Sequence, residues 1–264
     1  PDFWFKHHQR DMESHVVGRL VKTRQDGVLS AGGLVGLGSS SDRAKRYLDR
    51  PFEEQYLAYT NRIPFKAYTP YKSHVGAQGM LFGVLDRVVP LAPELKLELF
   101  RGLSALFTAA ALAVLVLWFR NEFGWCASLF VLVSCISSRW LTVFGRNLYW
   151  SVWSFYVPLI LVTSRIGHSS GGWPRSLGLG LIAFAGLALK CLFSGYEYIT
   201  TALLMPFVPL VYYGLRRRYT WRRWLQDGMT LSVGLGLAVV VTVAIVVFQI
   251  AAVSGSFGDA VTYL

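Results

Sequence analysis

Residues 229–252 read Met-Thr-Leu-Ser-Val-Gly-Leu-Gly-Leu-Ala-Val-Val-Val-Thr-Val-Ala-Ile-Val-Val-Phe-Gln-Ile-Ala-Ala, 24 residues without a charge. An apolar helix needs about 20 residues to cross the hydrocarbon core of a bilayer. This stretch meets that length, and it predicts a membrane span. Immediately before it stand Arg216, Arg217, Arg218, Arg222 and Arg223, a cluster of the kind that membrane proteins retain on the cytoplasmic side.

Working outward, five further apolar segments approach the same length: 102–119, 125–138, 148–163, 177–189 and 199–215. The fold class expected is an all-α polytopic helical bundle. With the five-arginine loop inside, alternation also places 120–124 and 164–175 inside. Residues 1–101, 139–147, 190–198 and 254–264 then face the non-cytoplasmic side, as in a protein of an inner or plasma membrane. Arg139, Arg146 and Lys190 run against the charge rule and are outweighed by the cluster.

The composition agrees: 53% hydrophobic and 15% aromatic residues in 264 are too apolar for an ordinary soluble domain. The net charge of +11 does not imply nucleic acid as a partner, because the basic residues of 101–264, 12 against 4 acidic, sit between spans. Cys126 and Cys135 lie too far apart along one helix for a disulfide. Pro1 at the start, and a chain ending just beyond a span, point to an interior piece of a longer protein.

Two regions are therefore expected, an external region over 1–100 and a transmembrane bundle over 101–264. Within the first, Met12, Val16, Val17, Leu20 and Val21 recur on one face of a helix running from Asp11 to Arg24, stopped at Asp26-Gly27. Residues 30–41, rich in Gly and Ser, predict a loop, followed by a charged helical segment over 42–50. A second amphipathic helix is predicted over 75–88, before Pro90. Both helices suit the membrane surface.

Several short motifs then resemble one family. Asp11-Met-Glu13 opening an amphipathic helix, Asp26-Gly-Val-Leu-Ser30 and Tyr68-Thr-Pro-Tyr-Lys-Ser-His-Val-Gly-Ala-Gln-Gly-Met80 follow one another in the external region. Leu99-Phe-Arg-Gly-Leu-Ser-Ala-Leu-Phe107 opens the next span, and Trp118-Phe-Arg-Asn-Glu-Phe-Gly124 closes it. Their order over residues 8–165 is similar to that of the GT-C glycosyltransferases, the branch of protein mannosyltransferases and aminoarabinose transferases. The pattern departs from the family where Met12 separates an acidic pair that is often adjacent, and where Lys72-Ser-His74 replaces a lysine-proline-proline turn. The resemblance implies an inverting transfer of sugar from a polyprenyl-phosphate donor to a lipid, glycan or protein on the non-cytoplasmic side.

It also directs attention to particular side chains. Such a transfer needs a carboxylate to take the acceptor's proton and cations beside the leaving phosphate. Asp11 stands where the family places its catalytic acid residue; its structural alternative is to cap the helix it opens. Glu13 joins Asp11 only if Asp11 lies outside the helix, and their convergence would suit a divalent cation. His15 can orient Asp11, bind phosphate or simply lie at the surface. Lys72 and His74 are candidates for the lipid-linked phosphate or for headgroup contact. Arg146, among Trp140, Tyr149, Trp150 and Trp153, is either a phosphate clamp or an interfacial anchor. Glu197 either pairs with Lys190 or Arg146 or binds a sugar hydroxyl, and Tyr196 and Tyr198 can stack on a sugar ring or belong to an aromatic belt. A non-catalytic scaffold subunit of a membrane complex is the alternative function, with its carboxylates paired off with arginines. A transporter is disfavoured by the near absence of charge within the spans.

Overall fold

The computed structural model describes residues 2–40, 51–168 and 173–263. The chain opens with α1 (Asp2–Asp26), a short 3-10 turn at Ser30–Gly33, β1 (Gly36–Ser39), α2 (Pro51–Asn61), β2 (Ala67–Pro70) and α3 (Ala77–Val88). It continues as α4 (Pro93–Phe123), α5 (Trp125–Ser137), α6 (Arg139–Phe144), α7 (Trp153–His168), α8 (Trp173–Ser194), α9 (Ile199–Leu204), α10 (Phe207–Arg216), α11 (Trp221–Ser254) and α12 (Phe257–Tyr263). This is a helical membrane bundle with one small two-stranded sheet.

The N-terminal layer follows its apolar pattern. Val16, Val17, Leu20 and Val21 of α1 are buried against Tyr59, Phe65, Phe82, Phe100, Leu148 and Tyr149. Gly27, at φ +106°, ends the helix, and its N–H bonds the carbonyl of Thr23 at 3.0 Å. Arg19 is fully buried with no carboxylate partner among the described residues, and its two Nη groups donate to the carbonyls of Gly27, Val28 and Ser30. Folding the 27–30 turn back over Arg19 satisfies a cation that would otherwise be costly to bury.

Within the loop expected over 30–41, the described residues 30–40 depart from that expectation. Gly36 and Gly38 have no side chains to hold the chain away from its neighbours, so β1 pairs antiparallel with β2, Gly36 opposite Pro70 and Ser39 opposite Ala67. The side-chain amide of Gln55 covers the other edge, accepting from Gly38 N at 2.9 Å and donating to Gly38 O at 2.7 Å. The α2 helix that carries Gln55 was not anticipated. The charged helical segment expected over 42–50 lies outside the described residues.

Among the described residues, four runs are long and apolar enough to cross a membrane: Pro93–Phe123, Leu177–Ser194, Ile199–Arg216 and Trp221–Ser254. The other two segments expected to span are helical but shorter. The α5 helix, at 13 residues, reaches only about 20 Å; it breaks at Ser138, whose Oγ accepts from Leu141 N as the N-cap of α6. The α7 helix, 16 residues, begins later than expected, because Asn147 Oδ1 accepts from the N–H groups of Tyr149 and Trp150 and holds 147–150 as a turn. Conversely, α4 begins at Pro93 rather than near residue 102, and α8 at Trp173 rather than 177.

The bundle has two distinct poles. At one, Glu122 near the end of α4 accepts from Tyr212, Tyr213 and Arg216 of α10, while Arg217 donates to the carbonyls of Ile166 and Gly167 at the end of α7. The arginine turn sits there. At the other, Gln249 of α11 donates to Gly32 O at 2.8 Å and Val75 O at 3.0 Å, tying the bundle to the N-terminal layer.

Candidate functional site

The N-terminal layer and the bundle meet in a cluster of aromatic rings. His15 lies on the buried side of α1, one turn beyond Asp11, with its Nδ1 3.2 Å from the Asp11 carbonyl. Its ring meets that of Tyr71 edge-on at 5.3 Å and tilts toward Tyr149 at 6.0 Å. Tyr149 also meets Tyr71 at 6.4 Å and His74 at 5.2 Å. The Asn147 turn aims Tyr149 into the cluster, and Gln78 of α3 donates to its carbonyl at 3.2 Å.

On its far side, the Tyr149 hydroxyl donates to Glu197 Oε1 at 2.9 Å, while Glu197 Oε2 is buried with no hydrogen-bond partner. Lys190 approaches the main chain here, not the carboxylate. Its Nζ donates to Gly195 O at 2.8 Å and Glu197 O at 2.5 Å, and lies 4.6 Å over the Phe155 ring. The pairing of Glu197 with Lys190 or Arg146 through its carboxylate, weighed from sequence, is therefore replaced by Tyr149.

Burial sets the protonation of the cluster. It pushes the His74 imidazole down to about 3, assisted by the charges of Lys190 and His15. It lowers His15 as well, against the pull of Asp11. Burial raises the Glu197 carboxyl, opposed by the Tyr149 hydrogen bond and Lys190. His74 Nδ1 accepts from Gly76 N at 2.9 Å, which requires that nitrogen to be unprotonated. His74 is 1% exposed, and its two ring nitrogens face Gly76 N and Gln78 Nε2, so it packs as an interior member of the cluster.

Asp11 is half-buried and lies within α1, not at its start, since the helix begins at Asp2. The capping role considered for it is thus removed. Its Oδ1 accepts from Met12 N at 2.7 Å. Glu13 points elsewhere: Arg101 donates to both its oxygens, at 3.0 and 2.7 Å, and Tyr56 donates to Oε2 at 2.8 Å. The two carboxylates therefore do not converge, as two residues two positions apart in a regular helix cannot. Among the described residues no group of three His, Cys, Asp or Glu side chains is placed to hold a metal ion.

The remaining candidates diverge. Lys72 turns to the Tyr263 ring of α12, 5.0 Å away. Tyr196, next to Glu197, packs where the apolar cluster of the bundle meets the one formed by Leu34, Val75, Val246 and Ile250. Arg146 is exposed and donates to Glu98 at 3.3 Å. Beside it, between α6, α7 and α9, opens an aromatic groove of about 390 Å³ lined by Trp140, Phe144, Trp150, Phe155, Tyr156 and Tyr198 together with Val152, Thr201 and Met205.

In the sequence, Trp140, Tyr149 and Trp150 stand near Arg146 as members of an interfacial belt, and Tyr198 is open either to that belt or to a sugar ring. Their grouping into a cluster and a groove was not visible there, because residues from 140 to 205 meet only when α6, α7 and α9 pack. Arg101, Glu98 and Tyr56 were missed as partners of candidate residues. The reciprocal charges of Glu13 and Arg101 carried no signal of pairing across 88 positions. The chain matches no family model, no curated protein and no solved structure.

Proposed function

We propose that the protein is a membrane glycosyltransferase that takes a sugar from a polyprenyl-phosphate carrier on the side opposite the arginine turn. The observation that carries this reading is one juxtaposition at that pole. The Asp11 carboxylate, paired with no arginine among the described residues, lies one helical turn from a ring cluster that includes the half-exposed Tyr71, and an aromatic groove opens on the other side of Trp150, which meets Tyr149 of that cluster.

In this reading an acceptor hydroxyl attacks the anomeric carbon, its proton passes to Asp11, and the bond from carbon to the phosphate oxygen breaks. The carrier phosphate leaves with the electron pair, stabilised by an external cation. Tyr71, exposed at the edge of the cluster and backed by the buried Tyr149, offers its ring to a sugar, and the groove takes the isoprenoid chain. Asp11→Asn keeps the side-chain volume and removes the base. It is expected to lower transfer from a lipid-linked sugar by about a hundredfold or more with an unchanged melting temperature. Full turnover in the purified variant overturns the role of Asp11.

A second reading, a non-catalytic scaffold, is favoured by one observation: Glu13 and Asp86 are both held by arginines, Arg101 and Arg24. It predicts no transfer by the wild-type protein with any lipid-linked sugar, and tight retention of a partner subunit on purification.

A further inference from the structure

Arg101 and Arg146 face a single carboxylate. Arg101 Nη1 donates to Glu98 Oε1 at 2.6 Å, and Arg146 Nη2 donates to Glu98 Oε2 at 3.3 Å. Glu98 thus spans two guanidinium groups, one oxygen to each. The two cations are held very differently. Arg101 is 21% exposed and fixed from behind by Glu13, itself 5% exposed, through Nε and Nη2, which leaves Nη1 directed outward. Arg146 is 54% exposed and Glu98 58% exposed.

An ion pair so open to water contributes little, roughly 0–1 kcal/mol. A phosphate carries comparable or greater charge, its oxygens match the planar donor edges of two guanidiniums, and its hydrogen bonds to arginine are among the strong ones. An anion of that kind can therefore replace Glu98 without disturbing Arg101. The apolar groove lies close to Arg146 along the chain: Phe144 and Trp150, which line it, stand two residues before and four residues after Arg146.

We infer that Glu98 is an internal stand-in for a lipid phosphate: it bridges Arg101 and Arg146 in the unliganded protein, and the phosphate of a prenyl chain lying in the aromatic groove displaces it. The inference rests on the carrier reading above and adds a built-in competitor to it. Glu98 then sets the affinity for the carrier and keeps other anions from occupying the two arginines.

The test uses the full chain in nonionic detergent, titrated with geranylgeranyl phosphate and, separately, with inorganic phosphate, following tryptophan fluorescence. Both Glu98 and Arg146 are largely exposed, so Glu98→Gln and Arg146→Gln are expected to fold. Glu98→Gln should tighten geranylgeranyl phosphate about fivefold, the worth of the exposed pair it removes. Arg146→Gln should weaken binding, and adding Glu98→Gln to it should give a smaller gain than in the wild-type background, because Glu98 then competes only for Arg101.

An affinity that is unchanged or weaker in Glu98→Gln overturns the inference, as does a gain that is equally large without Arg146. Inorganic phosphate binding as tightly as the prenyl phosphate overturns the lipid assignment. The transferase reading fails separately: if wild-type protein moves no sugar while Glu98→Gln still tightens geranylgeranyl phosphate, the lipid-phosphate site stands and the catalysis does not. If transfer proceeds and Glu98→Gln changes nothing, the reverse holds.

Discussion

Arg101 of α4 grips both carboxylate oxygens of Glu13 in α1, at 3.0 and 2.7 Å, and so joins the N-terminal layer to the first membrane helix. The pair is mostly enclosed, and the Tyr56 hydroxyl completes it at 2.8 Å. Removing one partner leaves the other charge without its counter-ion in a site largely closed to water. Arg101→Gln is expected to cost about 3–5 kcal/mol, read as a lower melting temperature in detergent. Replacing both, with Glu13→Leu and Arg101→Met, should recover most of the loss. A double variant as unstable as the single one would show that the contact holds the fold through something besides charge.

Stability should depend on pH through His74. The folded imidazole is held down to about 3 by burial, whereas the unfolded chain takes up its proton near the ordinary 6.5. Between those values the unfolded state binds more protons, so stability is lost as pH falls from 6.5 toward 3. Glu197 acts in the opposite sense: its raised carboxyl keeps a proton longer in the folded state, so its contribution declines as pH rises above the ordinary carboxylate value of 4.5. His74→Asn retains an acceptor for the Gly76 N–H and removes the titration. Melting curves from pH 7 to 4 should fall less steeply in that variant; parallel curves would rule His74 out.

The contact between α8 and α11 depends on a missing side chain. A Cβ at Gly234 would overlap the carbonyl oxygen of Gly180, so the two helices approach through backbone at this level. Gly234→Val should separate them and cost about 1–3 kcal/mol. Gly236→Val, one step on in α11 where a Cβ meets nothing within 4 Å, is the control and should leave thermal stability nearly unchanged.

At the opposite pole, Glu122 collects the hydroxyls of Tyr212 and Tyr213, at 2.9 and 2.6 Å, together with Arg216. Tyr213→Phe removes one of these bonds and also strips Trp118 Nε1 of its acceptor at 3.0 Å. A loss of about 1–2 kcal/mol is expected in thermal melts, while binding of geranylgeranyl phosphate at the far pole should not change. A drop in that affinity would mean that the two poles are coupled.

Residue order alone determined that this chain is a helical membrane protein, because hydrophobic length and charge placement are properties of consecutive residues. The uncharged run 229–252, the arginine cluster before it and the apolar face of α1 from Val16 to Val21 needed no partner to be read. The ends of helices were less legible where a side chain from a turn decided them, as Asn147 does for α7 and Ser138 for α6.

Only the tertiary structure decided which candidate groups act together. Asp11 and Glu13 sit two positions apart, yet the turn of the helix sends Glu13 to Arg101 and leaves Asp11 near His15. Glu197 and Tyr196 are neighbours with different surroundings: Tyr196 packs into apolar clusters, whereas Glu197 finds Tyr149 across 48 positions. Such pairings come from the packing of the N-terminal layer on α4 and of the 147–150 turn on α8. Burial then fixes which charges are tolerated, a choice that no local pattern of residues carries.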